Sequence, residues 1–144
     1  MPYHNQLTGL IARTSRLYKT ELNAMLAEKG FNLSSEMCGL LVLLWQENYK
    51  SQQELANILK KDKGGITRLV KSLQTRDLIK TIKDKDDLRI NKIVLTEKGK
   101  KLQVVLEPLL QNLRNKTLSQ IPQEEQEKTM AILYQVISNL EKLH

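Results

Sequence analysis

Apolar residues at Leu7, Leu10, Ile11, Leu17, Tyr18, Leu22 and Met25 recur at helical spacing, which predicts an amphipathic first helix that ends near Gly30. Ser34 is placed to cap a second helix whose centre, Cys38 to Trp45, is apolar nearly all round, as expected of a helix enclosed by others. Ser51-Gln52-Gln53-Glu54 has the form of a capping box, in which the hydroxyl and the carboxylate each satisfy a free backbone N–H. Leu55, Ala56, Ile58 and Leu59 follow it, so a short third helix starts near Gln52. After Asp62, another cap candidate, Ile66, Leu69, Val70 and Leu73 fall at i, i+3, i+4 and i+7, the stripe of a fourth helix. Two short helices joined at Lys60 and Lys61 make a helix-turn-helix candidate.

The period then changes. Leu78–Lys83 and Ile90–Leu95 are rich in β-branched residues and flank the charged stretch Asp84–Arg89, the pattern of a β-hairpin. Thr96 is placed to cap a long helix to about Leu118, with Leu102, Val105, Leu106, Leu109 and Leu113 inward and Pro108 expected to kink it. Pro122 at a first helical position, followed by Glu124 and Glu125, opens a last helix. The prediction is a mainly α fold with a small β-hairpin wing: a winged helix-turn-helix flanked by N- and C-terminal helices.

At 144 residues the chain fits one domain. No apolar run is long enough to span a bilayer, and Met1-Pro2-Tyr3-His4 lacks the order of a signal peptide, so a cytoplasmic protein without membrane contact is expected. Cys38 is the sole cysteine, which excludes an intrachain disulfide framework. With only His4 and His144 beside it, no zinc ligand set is expected, and no cofactor. There is no Gly-rich phosphate loop after a strand and no histidine within the folded core, which argues against an enzyme.

The position of the charge says more than its net value of +7. Residues 60–101 hold 14 Lys/Arg against 6 Asp/Glu, and the remainder holds 9 against 10. A basic block in an otherwise balanced chain suits a polyanion, because each cation near a phosphate releases a counterion. On the fourth helix, burying the apolar stripe leaves Gly64, Thr67, Arg68, Lys71 and Thr75 on the opposite face. That face is narrow, polar and basic, which a major groove requires. Gly64 and Gly65 each cost roughly 1 kcal/mol of helix propensity, and close approach of the helix start to phosphate is one use for them; a poorly formed first turn is the other reading. At the hairpin tip, Arg89 lies beside Lys83, Lys85 and Lys92, with Asp87 placed to orient its guanidinium, an arrangement suited to a narrow minor groove.

Glu54-Leu55-Ala56, Thr67-Arg68-Leu69-Val70, Leu78-Ile79, Asp87-Leu88-Arg89 and Leu95-Thr96-Glu97-Lys98-Gly99, in that order and spacing, resemble the MarR family of winged-helix regulators. The detailed match covers residues 51–102. The resemblance implies one domain over 1–144, with 7–29 and 97–144 forming dimerisation helices and 34–96 the DNA-binding lobe. It implies a homodimer on a palindromic double-stranded operator, acting as a repressor, with release by a small aromatic effector or by cysteine oxidation as in other members. Carried over by position, the recognition-helix set is Lys63, Gly64, Gly65, Thr67, Arg68 and Lys71, and the wing set is Lys85, Asp87, Arg89 and Lys92. The chain departs from the family pattern at Asp77, where a Gly usually precedes the Leu-Ile pair, at Leu88, which replaces a wing arginine, and at Lys85, where a Pro is common.

Met130, Leu133, Ile137 and Leu140 alternate at three and four and need a partner surface. With Leu7, Leu10 and Ile11 they form the expected dimerisation set. The rival reading is a winged-helix module for protein contacts, RNA or non-specific nucleic-acid binding, since a fold does not decide its ligand. Cys38 reads as a small buried hydrophobe rather than a redox sensor. Tyr18, Phe31, Trp45 and Tyr49 are placed either to line an effector pocket near the first two helices or to serve as plain core, and no effector site is assigned to them.

Overall fold

A computed structural model describes residues 5–144; His4 and the N-terminal residues weighed above lie outside them. The elements in order are α1 (Leu7–Glu28), α2 (Ser35–Gln46), β1 (Lys50–Ser51), α3 (Gln52–Leu59), α4 (Lys63–Thr75), β2 (Ile79–Lys83), β3 (Asn91–Leu95), α5 (Glu97–Thr117) and α6 (Gln123–Glu141). The chain divides into two compact units, one ending at Leu110 and the other Gln111–His144.

The predicted caps are made by short polar side chains that accept from the first free N–H groups of each helix. Ser34 Oγ accepts from Met37 N at 3.2 Å, Ser51 Oγ from Glu54 N at 3.0 Å, and Asp62 Oδ1 from Gly65 N at 2.6 Å. The capping box at Ser51 is only half formed, because the Glu54 carboxylate turns to Lys92 Nζ at 3.3 Å instead of back to the helix start. α3 then ends at Lys60, which takes left-handed backbone at φ 53° and donates its N–H to Ala56 O.

In the first unit Leu40, Leu41 and Leu44 of α2 meet Leu55 of α3, Ile66 and Leu73 of α4, and Ile93 of β3, all fully buried in one cluster. Each such side chain is worth roughly 1.5–3 kcal/mol in apolar burial, so this cluster sets how α4 lies on the lobe. The hairpin gains a third strand that the pattern did not predict: β1 pairs antiparallel with β3, Lys50 opposite Ile93, and the sheet order is β1-β3-β2. Two residues are too few to show a period, so β1 is legible only through its partner. On α5 the buried stripe is Leu106 and Leu110 with Leu102 packed on the core cluster. Val105, expected inward, is 59% exposed, because a stripe at i, i+4 and i+8 turns it away. The helix runs on through Pro108.

α4, the hairpin and α5 meet at a tight joint. Thr96 Oγ1 donates to Asp77 O at 2.6 Å and accepts from Gly99 N at 3.0 Å, so one hydroxyl caps α5 and holds the turn after α4. Lys98 Nζ donates to Arg76 O at 3.0 Å, and Trp45 Nε1 donates to Gly99 O at 3.0 Å. A Cβ on Gly99 would overlap the carbonyl oxygen of Leu78, which explains the glycine there without reference to helix propensity. Asp77 has φ 56°, left-handed backbone that glycine adopts without strain. Where the resemblance expects a glycine, the chain therefore carries a strained residue.

In the second unit, α6 buries none of its residues. Met130, Ile137 and Leu140 are exposed and Leu133 is half-buried. On α1, Leu7 and Leu10 are likewise exposed and Ile11 half-buried.

Gly99→Ala is expected to destabilise the protein by about 2 kcal/mol, since overpacking against backbone cannot relax by a side-chain rotation. A lower urea midpoint at unchanged slope checks this. Asp77→Gly should have the opposite sign. It removes roughly 1–2 kcal/mol of left-handed strain and adds roughly 0.4–1 kcal/mol of unfolded-chain entropy, so a gain of about 0.5 kcal/mol is expected in the same titration.

Candidate nucleic-acid interface

Ile66, Leu69, Val70 and Leu73 of α4 are buried as predicted, and Lys63, Gly64, Thr67, Arg68, Lys71 and Thr75 are exposed. The turn before the helix is tied down: Lys61 Nζ binds Glu36 Oε2 at 2.8 Å, fixing the α3–α4 connection to the first turn of α2. The Lys61 ammonium holds the Glu36 carboxyl below its ordinary range.

The first turn of α4 is well formed, which excludes the reading of Gly64 and Gly65 as a frayed start. The Gly65 N–H is occupied by the Asp62 carboxylate, and a Cβ on Gly65 would stand 3.0 Å from that carboxylate oxygen. A Cβ on Gly64 would stand 3.3 Å from a terminal guanidinium nitrogen of Arg68. The glycines therefore make room for the cap and for Arg68 folding back over the helix start. An acidic cap also makes this end less attractive to a phosphate than a bare N-terminus.

Thr67, expected to offer its hydroxyl outward, has already committed it. Thr67 Oγ1 donates to Lys63 O at 2.7 Å and accepts from Gln52 Nε2 at 2.8 Å. Gln52, at the start of α3, was not among the residues singled out from the sequence. Its only signal there was its place beside a cap, and the pairing across 15 residues is visible only in three dimensions.

In the wing, Arg89 Nε donates to Asp87 Oδ1 and a terminal Arg89 nitrogen to Oδ2, both at 3.0 Å. This is the two-pronged pairing that holds a guanidinium in one orientation. Arg89 is still 90% exposed at its side chain, so it is aimed without being consumed. The pairing holds the Asp87 carboxyl below its ordinary range and raises Arg89.

The turn of the wing is anchored by Tyr49. Its hydroxyl donates to Asp84 Oδ1 at 2.9 Å and accepts from Lys85 N at 3.3 Å, while Asp84 Oδ2 accepts from the N–H groups of Asp86 and Asp87. The Tyr49 hydrogen bond lowers the Asp84 carboxyl, and burial is the main cause that raises the Tyr49 phenol. Both aspartate shifts are downward, so what they contribute is present at neutral pH and lost only as pH falls through the carboxylate range.

Lys85 is exposed near the tip. Lys92, predicted with it, is a brace instead: its side chain is 15% exposed, bound to Glu54 and seated 5.3 Å from the Tyr49 ring centre. Register explains this, since Lys92 pairs opposite Ser51 and Ile82 within the sheet. The structure thus brings together Lys63, Arg68 and Lys71 on α4 and Lys85, Asp87 and Arg89 on the wing, and sets Lys92 apart.

A cleft of about 380 Å³ opens beside α4, lined mainly by polar groups that include Ser34, Lys61, Arg68 and Ser72. None of the four aromatics considered for an effector lines it. Trp45 and Tyr49 are held by the bonds described above, and Cys38 is buried in α2.

Residues 33–90 match the MarR family model. YybA of Bacillus subtilis, an uncharacterised HTH-type transcriptional regulator, is 30% identical over 102 residues, spanning 71% of this chain and 68% of that protein. Among solved structures, the regulator BldR of Sulfolobus solfataricus superposes with a TM-score of 0.82 at 30% identity, covering 93% of this chain and 94% of its own. MepR of S. aureus, solved as a DNA complex, gives 0.81 at 24% identity over 93% and 98%. The folded match extends well beyond residues 33–90 in both structures, and with the shared sequence it establishes that the chain belongs to the MarR family of transcriptional regulators.

Proposed function

We propose that this chain is a repressor that binds a palindromic double-stranded operator as a homodimer. Each protomer lays α4 in a major groove and carries Arg89 into the adjoining minor groove. The observation that carries the reading is the pairing of an exposed cationic face on α4 with an arginine at the wing tip that its own aspartate already orients. A major groove admits one helix, and an arginine held beforehand loses little side-chain freedom on entering a narrow minor groove. The DNA complex of MepR supports the reading through a similar fold.

The dimer is supported by apolar side chains left uncovered at both ends of the chain. Met130, Ile137 and Leu140 with Leu7 and Leu10 are exposed, a pattern that marks an interface more than a soluble surface. Two-fold symmetry would repeat the recognition helix about one turn of duplex, ~10 base pairs, away or a multiple of it. Repression follows from a dimer covering the promoter.

The test is anisotropy of the purified protein on DNA upstream of its own gene, against a scrambled fragment, at two salt concentrations. Preference for the upstream fragment that survives the higher salt is expected, and no binding at low salt would transfer the wing and α4 to a protein-contact role. Arg68→Ala should flatten base preference, whereas Arg89→Ala should weaken binding to all sequences alike. In sedimentation the parent should run as a dimer and Ile137→Asp as a monomer; a parent that sediments as a monomer refutes the assembly.

A further inference from the structure

The hydroxyl of Thr67 has one proton, and Lys63 O receives it at 2.7 Å. One of its lone pairs is taken by Gln52 Nε2 at 2.8 Å. Thr67 therefore has no hydrogen to give a base or a phosphate, and keeps one lone pair. The polar groups at that level of the recognition surface belong to Gln52. Its amide spends one N–H on Thr67, and a second N–H and the carbonyl oxygen Oε1 remain.

We infer that Gln52 is a base-reading residue, held by Thr67 so that its amide faces the major-groove edge of an adenine. An amide with one N–H and one carbonyl disposed side by side matches adenine, which offers N7 as acceptor and N6–H as donor. The anchor matters because it fixes which way the amide points and removes much of the freedom a surface glutamine would lose on binding. Position supports the assignment: Thr67 lies in the N-terminal half of α4, flanked by Gly64, Arg68 and Lys71 on the exposed face, and this half of a recognition helix is the part that meets base edges. The helix-turn-helix thus reads DNA with a side chain from its first helix as well as its second. The inference rests on the DNA-binding reading above.

The test is selection of bound duplexes from a random pool by the parent, Gln52→Ala, Thr67→Val and Thr67→Ser, followed by anisotropy on the selected sites. The parent should enrich an A·T pair at one position in each half-site. Gln52→Ala should lose that preference alone and bind the parent site on the order of tenfold to a hundredfold more weakly, the worth of one bidentate base contact. Thr67→Val, which keeps shape but loses the hydroxyl, should blunt the same position, and Thr67→Ser should preserve it. Adding Gln52→Ala to Thr67→Val should cost less than Gln52→Ala alone, since both act through one bond. Enrichment of the same sequences by Gln52→Ala and by the parent would overturn the inference. So would a uniform loss across all sequences with a shallower salt slope, which marks a phosphate contact. If the parent itself enriches no sequence, the operator reading fails and not only the role of Gln52.

Discussion

Backbone meets backbone at Gly99 and Leu78 with no room for a methyl group between them, and α4 and the hairpin take their positions from that contact. The end of α4, both ends of the hairpin and the first turn of α5 converge there. Leu78 O accepts from Thr96 N at 3.1 Å, the Thr96 hydroxyl bridges Asp77 and Gly99, and Lys98 reaches the carbonyl of Arg76, which caps the end of α4. A side chain at position 99 would push α5 away and loosen all these bonds together. The Thr96-Glu97-Lys98-Gly99 motif is therefore a joint, in which one residue bridges, one reaches back and one is absent as a side chain.

A joint of this kind has a functional consequence. Recognition helix and wing read different grooves in the proposed complex, so an error in their relative angle costs both contacts. The lobe joins α4 to the hairpin at its base through Gly99 and by Gln74 Nε2 donating to Thr81 Oγ1 at 2.8 Å, and it holds the hairpin again nearer the tip, where Tyr49 binds Asp84 and the turn backbone. Tyr49 itself sits in left-handed backbone at φ 74°, unusual for a bulky residue, and the bonds at its hydroxyl are the compensation visible in the structure.

The basic surplus of residues 60–101 divides between two tasks. Lys61, Arg76, Lys92 and Lys98 are committed within the lobe, to Glu36, to the carbonyls of Asn32 and Ser72, to Glu54, and to the carbonyl of Arg76. Lys63, Arg68, Lys71 and Arg89 stay on the outer faces. Net charge alone overstates the interface, because a lysine beside an acid or a carbonyl satisfies its charge locally. Arg89 belongs to the second group although it is paired, since its aspartate is part of the same tip and leaves most of its side chain open.

The one-dimensional pattern determined the helices, the caps at Ser34, Ser51, Asp62 and Thr96 and the inward face of α4, because these depend on neighbours three or four positions away and on a single hydroxyl or carboxylate at a helix start. It also determined the Asp87–Arg89 pair, two residues apart. Pro122, expected at a first helical position, is the residue before α6 instead. Tertiary structure decided what rests on distant partners. β1 exists only through β3, Lys92 is a brace only because strand register sets it beside Glu54 and Tyr49, and the hydroxyl of Thr67 is committed only because α3 brings Gln52 to it. The physical reason is the range of the interactions: periodicity and capping are written within one helical turn, whereas the orientation of a polar side chain is set by whichever donor or acceptor the packed core delivers to it.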